Sequence, residues 1–370
     1  MPHGISPLLS EFDPDRPLDQ ARTIPNTWYT SPEVYAAERD AVFARSWQAI
    51  GRVEQVAASG AFLTAEIAGE PLLVVRDDDG VLRGFFNVCR HRAAPILNEP
   101  CGVSTKLRCR YHGWTYDLAG RLRGTPEFDG VADFRKDDNG LVPVAVAEWG
   151  PFVWVHLTAP PEPLDATVAP LRAWVESRAA LAGLAWHARK TYDLACNWKV
   201  YVDNYLDGGY HVNTVHPGLA GVLDYRGYRT ECSGRTVLQS SPLTPAAGDA
   251  GRTRTGDLAA YWWVYPNLML NLYAGVMDTN LVLPLGPDRC RVVFDFYFAA
   301  GTDDGFIRDS VAVADQVQAE DVGICEDVQR GLTSRSYTSG RFSVKRENGG
   351  YYFHQLLGRA LLAGAKSERG

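Results

Sequence analysis

Two stretches of the 370-residue sequence hold residue types that bind transition metals. In the first, Cys89 and His91 form a C-x-H pair, and Cys109 and His112 form a C-x2-H pair. Two thiolates and two imidazoles can close a tetrahedral zinc site, or they can divide over a [2Fe–2S] cluster with cysteines on one iron and histidines on the other. Structural zinc sites usually take like ligands from each half, whereas here each loop delivers one Cys and one His. That alternation is what the asymmetric cluster requires. Such a cluster passes single electrons and does no organic chemistry, so another site must use them. The other cysteines, Cys101, Cys196, Cys232, Cys290 and Cys325, lack ligand spacing.

The second stretch, KVYVDNYLDGGYHVNTVHPG, contains that other site. Asp203, Asp207 and His211 recur every four residues, which places them on one face of a helix expected from about Trp198 to Val215 and stopped by Pro217. His216 completes an H-x4-H pair. Two histidines with one carboxylate form the facial triad that leaves positions open on ferrous iron for dioxygen and substrate-side chemistry. By itself the pair would more often be a packed helix end; the upstream electron-delivering cluster raises it to a candidate mononuclear Fe(II) site.

These residues need elements to position them. SPEVYAAERDAVFARS opens on Ser-Pro and reads as a helix over 31–46, although Glu38 interrupts its apolar face. From Trp47 to about Leu157, short apolar runs alternate with Gly, Asp and Asn; PLLVVR and VLRGFFNV, joined by DDDG, read as a hairpin in a small antiparallel β domain. The proline-rich TAPPEPLDATVAP marks a boundary. Beyond it follow a helix near 165–182, a strand at HARKTYDLACN, strands through YWWVYPNLMLNLYAGV, TNLVLPLG and RCRVVFDFYFAAG, and a long amphipathic helix over about 303–331.

The flanks of the first constellation, NVCRHRAAP and CRYHGWTYDLAG, resemble the cluster loops of the Rieske ferredoxin domain. DNYLDGGYHV and QAEDVGICEDVQRGL resemble the iron-binding segments of Rieske non-haem iron oxygenase alpha subunits. The resemblance covers nearly the whole chain. It implies an α+β fold: an arm and helix over 1–45 packed on the catalytic domain, a small antiparallel Rieske domain over 46–158, and a catalytic domain over 159–370 with helices over an antiparallel sheet, of the helix-grip, START-like kind. It implies a [2Fe–2S] cluster and mononuclear Fe(II) as cofactors. The third iron ligand would come from the late helix, as Asp321, with Glu326 as the fallback.

The family also uses an acid that links a cluster histidine of one subunit to an iron histidine of its neighbour, which implies a homotrimer. That acid usually lies three residues before the first histidine, where this sequence has Gly208. Asp207, one residue earlier, takes the role if Gly208-Gly209 forms a bulge; Asp203 is the competing candidate.

DNYLDGGYHV, YPNLMLNLY, MDTNLVLPLG, RVVFDFYF and CEDVQRGL look most like the branch that oxidises quaternary ammonium compounds, the choline monooxygenases and their bacterial relatives. This implies a monooxygenase using O2 and external electrons to convert choline to betaine aldehyde hydrate or to demethylate a betaine oxidatively. The alternative is an aromatic-ring hydroxylase or N- or O-demethylase of the same family. A permanent cation that cannot donate hydrogen bonds is held by ring quadrupoles, and Trp262, Trp263, Tyr265 and Tyr273 offer rings in the segment expected to cover the iron. The segment after the boundary is too long for a pure electron carrier.

Composition narrows the partners. With 46% hydrophobic, 11% aromatic and 22% charged residues the chain can build a sizeable core. A formal net charge of -7 without a basic stripe disfavours nucleic acid. There is no apolar run of membrane-spanning length, and the acidic, proline-containing start does not read as a signal or transit peptide. Seven scattered cysteines fit a reducing, cytoplasmic setting. No flavin or nicotinamide fingerprint is present, so electrons are expected from a separate reductase or ferredoxin.

Overall fold

The computed structural model describes residues 5–158, 161–216, 218, 222–244 and 249–367. The chain folds as two compact units, Phe43–Leu164 and, around it in sequence, Met1–Val42 with Asp165–Gly370. These boundaries lie a few residues from the expected 45/46 and 158/159. The later one shifts because the Trp47 indole donates to the Glu162 carbonyl at 2.7 Å, tying the proline segment to the smaller unit.

In the smaller unit a seven-stranded antiparallel sheet runs in the order Gln48–Arg52, Phe152–His156, Pro143–Trp149, Leu82–Phe86, Glu70–Arg76, Ala61–Ile67, Cys101–Val103. The expected hairpin pairs Arg76 with Leu82. A second sheet of three short strands, Leu107–Arg108, Thr115–Tyr116 and Leu122–Gly124, carries the second cysteine loop. Phe62, Leu73, Val75, Phe85, Trp114 and Tyr116 form the core between them.

In the larger unit a second seven-stranded antiparallel sheet has the order Leu184–Leu194, Arg289–Ala299, Val276–Gly286, Leu268–Tyr273, Leu258–Val264, Thr236–Pro242, Arg229–Ser233. Its register aligns Gln239, Tyr261, Asn271 and Asp278 in one cross-strand row. Strand alternation puts the next row on this face two residues along, through Val237, Trp263, Met269, Asn280 and Phe294. Three helices are central here: Trp198–Tyr205, the long Asp304–Leu332 capped by the Asp303 side chain on Gly305 and Phe306, and the C-terminal Asn348–Ser367. Among the described residues no helix is long and apolar enough to cross a membrane.

Two expectations change. The helix over 31–46 is α-helical only over Pro32–Glu38, capped by the Ser31 hydroxyl, and then widens into a π-turn at Arg39–Phe43. Glu38, the acid that interrupted its apolar face, is fully buried with its carboxylate 2.6 Å from Lys199 Nζ and 2.8 Å from the Trp198 indole. The helix expected from Trp198 to Val215 ends at Tyr205 and resumes as a single turn over Val212–Val215. Gly208 and Gly209 intervene, both at φ +70, which L side chains adopt at a cost of roughly 1–2 kcal/mol each. The expected stop at Pro217 lies outside the described residues.

Candidate metal centres and active site

The two cysteine loops of the smaller unit are built alike. In each, the N–H of the cysteine donates to the carbonyl five residues on: Cys89 to Ala94 and Cys109 to Trp114, both at 2.9 Å. In each, the N–H four residues on returns to the cysteine carbonyl, from Ala93 and from Gly113, both at 3.0 Å. Ala93 and Gly113 both have positive φ, 61 and 74. These tight turns bring His91 and His112 together with ring centroids 4.7 Å apart, while both cysteines are buried. His91 stacks on Trp114 at 4.8 Å, and the Tyr116 hydroxyl lies 3.5 Å from Cys89 Sγ.

The donor set fits a [2Fe–2S] cluster. His91 Nδ1 is buried without a hydrogen-bond partner, an orphaned nitrogen whose lone pair a bound iron would take. Desolvation, then His112 and Arg92, hold the His91 imidazole below its ordinary pKa, favouring the neutral form that ligates. Zinc could use the same four atoms, but two cysteine–histidine loops of matched turn geometry suit a cluster divided between irons.

The second centre lies in the larger unit. His211, His216 and Asp321 each offer one ligand atom, and the three atoms lie within 4.8 Å of one another. His211 Nε2 is 3.0 Å from His216 Nε2, and Asp321 Oδ1 is 3.2 Å from the latter and 3.8 Å from the former. The opposite ring nitrogens are both held by acids. His211 Nδ1 meets Asp207 Oδ2 at 2.5 Å, and His216 Nδ1 meets Glu320 Oε2 at 2.7 Å. A proton on each Nδ1 leaves two Nε2 lone pairs and a carboxylate oxygen converging on one point, a set that repels itself unless a cation stands between. The site therefore fits mononuclear iron. Asn204 Nδ2 donates to this same Asp321 Oδ1 at 2.6 Å.

The alternatives raised by the sequence fall elsewhere. Asp207 does not stack beneath His211 on a continuous helix; the double glycine turns the chain so that Asp207 also accepts the backbone N–H of Tyr210 and of His211. Asp203 is engaged within its own chain, accepting from Tyr29 Oη at 2.5 Å and from His354 Nε2 at 2.8 Å. Glu326 accepts the Ala195 N–H instead of joining the triad. Glu320 and Asn204 were not expected. Their only trace in the sequence is adjacency, since Glu320 precedes Asp321 and Asn204 follows Asp203.

A pocket opens on the triad, with Tyr205, Tyr228, Tyr261, Tyr273 and Phe294 in its walls. Desolvation is the main reason the hydroxyls of Tyr205, Tyr228 and Tyr261 are held well above the usual tyrosine range, so these rings stay neutral. A polar relay crosses the pocket floor: Tyr205 Oη donates to Asn271 Oδ1, Asn271 Nδ2 donates to Asp278 and Asn280, and Tyr201 Oη donates to Gln318.

Of the aromatic residues expected here, only Tyr273 borders the pocket. Trp263 and Tyr265 are corrected to core residues: Trp263 packs on Phe353 of the C-terminal helix at 5.5 Å and on Tyr265 at 5.8 Å. Trp263 shares the sheet face with Tyr261, but the C-terminal helix covers that end of it. Trp262 points to the other face and meets Trp174 at 6.0 Å.

Comparison with known proteins agrees with both centres. Residues 46–135 match the Rieske [2Fe-2S] domain, and residues 181–363 match the catalytic domain of the ring hydroxylating alpha subunit. The chain belongs to the Rieske non-haem iron oxygenases, carrying a [2Fe–2S] domain and a mononuclear-iron catalytic domain in one polypeptide. Within them it is 42% identical to the chloroplastic choline monooxygenase of Arabidopsis thaliana over 95% of this chain and 86% of that one. It is 31% identical to the carnitine monooxygenase oxygenase subunit of Escherichia coli K12 over 91% and 93%. Among solved structures, a quaternary ammonium Rieske monooxygenase in complex with L-carnitine superposes with a TM-score of 0.82 at 28% identity, over 92% of this chain and 96% of that one.

Proposed function

We infer that the chain is a monooxygenase of quaternary ammonium compounds, hydroxylating a carbon near the cationic nitrogen and drawing its electrons from a separate reductase or ferredoxin. The observation that carries this is the pocket of neutral tyrosine rings opening directly on His211, His216 and Asp321. A permanent cation, unable to donate hydrogen bonds, is held by such faces through their quadrupole, and its approach favours the ionised form of the buried Asp278 carboxyl. A plain aromatic hydrocarbon would bring no charge to answer the buried Asp278 carboxyl, which disfavours the ring-hydroxylase alternative. The relatives named for choline and carnitine oxidation lend the same support.

Iron bound at the triad supplies dioxygen activation. The chain's own residues do the rest. Asp207 and Glu320 keep the Nδ1 protons of His211 and His216 and so present both Nε2 atoms. Asn204 aims Asp321, and the rings exclude water from the substrate's methyl groups. The overall balance is one C–H bond and O2, with two electrons and two protons, giving one C–OH and one water. In this reading Cys89, His91, Cys109 and His112 hold the cluster, and Asp207 is the bridge to a cluster histidine of a neighbouring subunit in a homotrimer. A cytoplasmic setting is consistent with seven cysteines of which none forms a disulfide.

The test is substrate-dependent oxygen uptake by iron-loaded protein with a generic reductase, screened over choline, betaines, carnitine and simple aromatics. Product from a quaternary ammonium compound, with about three irons and two sulfides per chain, is the expected result. Turnover confined to the aromatics, or stoichiometric zinc without sulfide, rejects the assignment.

A further inference from the structure

The pocket beside the triad is lined by two ionisable side chains that neither metal centre uses. Asp278 is 4% exposed and accepts from Asn271 Nδ2 at 2.6 Å. Arg254 is 8% exposed, and two of its three guanidinium nitrogens, Nε and Nη1, have no hydrogen-bond partner. Arg254 also stands with its Cζ 4.7 Å from the centroid of the Tyr273 ring, so a cation of the protein itself already occupies that face.

A guanidinium buried with unmet donors is costly, and proteins keep one where an arriving group supplies the acceptor. The strongest match is a carboxylate, which accepts charge-assisted hydrogen bonds. An ammonium alcohol such as choline brings only a cation and a hydroxyl, and its net positive charge is repelled by Arg254. An ammonium acid brings one charge for each of the two side chains: its cation faces Asp278 and the rings of Tyr228 and Tyr261, and its anion faces Arg254.

We propose that Arg254 receives the carboxylate of a zwitterionic substrate, so that the compounds this chain oxidises are quaternary ammonium acids rather than ammonium alcohols. The proposal rests on the reading of the pocket as a quaternary ammonium site and narrows it to one class. Tyr273 then serves to hold Arg254 in place, and the ring faces left for the ammonium are those of the other pocket tyrosines.

The experiment compares γ-butyrobetaine with its uncharged methyl ester, and both with choline, on the iron-loaded oxygenase with its reductase, reading kcat/KM and equilibrium binding. The acid is expected to exceed the ester by tenfold or more, chiefly through KM, and to exceed choline likewise. In Arg254→Met the acid-to-ester ratio should collapse toward one, with Arg254→Lys recovering part of it, while the cluster absorption stays unchanged. The comparison in the unmodified protein needs no variant, so it stands even if Arg254→Met fails to fold. Equal use of acid and ester, or a preference for choline, overturns the role of Arg254 while leaving the quaternary ammonium reading in place. If no quaternary ammonium compound binds or turns over on protein loaded with both metals, the broader reading falls and the proposal with it.

Discussion

Glu320 Oε2 lies 2.7 Å from Nδ1 of His216, the ring nitrogen turned away from the point where the three ligand atoms converge. Its neighbour in sequence, Asp321, faces the other nitrogen of the same ring at 3.2 Å. Consecutive residues of one helix thus hold both edges of one imidazole. Acids in this outer position orient the ligand and raise its basicity, and their loss typically costs 10–100-fold in metal affinity or activity. Glu320→Ala is therefore expected to lower iron affinity by about one to two powers of ten, with the cluster spectrum intact. Chelator competition measures it, and an unchanged affinity would remove Glu320 from the site.

His211→Ala, His216→Ala and Asp321→Ala should each abolish turnover and preserve the cluster signal, because only the mononuclear iron activates dioxygen. Cys89→Ser should do the reverse, removing the cluster signal while iron still binds in the larger unit. Metal analysis beside electron paramagnetic resonance separates the two patterns. Near-normal hydroxylation by any of the three triad variants would show the ligand set to be misassigned.

Asp207 and Asp203 now have different expected phenotypes. Asp207→Asn weakens the charged acceptor at His211 Nδ1, so both metals should remain bound while electron transfer between them slows. Asp203→Asn disturbs the contacts with Tyr29 and His354, so its expected effect is on stability, about 1–3 kcal/mol, with electron transfer retained. Single-turnover oxidation of a pre-reduced cluster, read beside gel-filtration mass, decides. Fast oxidation coupled to product in an Asp207→Asn trimer would refute the bridge, and an active monomer would refute the route between subunits.

Gly208→Ala tests the turn that delivers His211. A Cβ there would lie 2.0 Å from the Arg346 carbonyl oxygen, on a residue already at φ +70. The expected loss is at least about 1–2 kcal/mol from the backbone conformation alone, with iron content reduced because Asp207 and His211 part. A denaturation midpoint equal to that of the parent protein would contradict it.

Lys199→Met leaves the Glu38 carboxylate buried and uncompensated, with an expected loss of about 3–5 kcal/mol. The double substitution Glu38→Leu with Lys199→Met should lose less than the single one, since it buries no charge. Chemical denaturation of the three proteins provides the comparison, and a double variant weaker than Lys199→Met would oppose it.

The cluster loops were readable because each is local: ligand, turn and counter-turn fall within six residues, and the Cys–His alternation carries the chemistry. The two histidines of the triad were readable for the same reason. Asp321 lies far along the chain and was reachable only through family likeness. Helical periodicity misplaced Asp207, because the spacing of four would also suit an unbroken helix and only the paired glycines argued otherwise. Trp263 and Tyr265 were misassigned because alternation tells which face a side chain takes, not which part of that face a later helix covers. Arg254 sits in a bend with no pattern around it, and its significance arises from burial, which no local motif encodes.

The smaller unit interrupts the larger one in sequence, and this sets an order of events at the ribosome. The cluster-bearing segment has been synthesised in full while the segments that carry His211, His216 and Asp321 are still unmade. Tyr29, by contrast, must wait for His354, 325 positions later, to which its hydroxyl comes within 3.3 Å. At translation rates of 5–20 residues per second that wait is roughly 16–65 s. Within the arm, Trp28, wholly buried in the finished protein, already has Phe12 at 5.4 Å and the Leu8 carbonyl as partners. Completion of the larger unit's core thus waits for the C-terminal helix, by which time every residue of the smaller unit has been made.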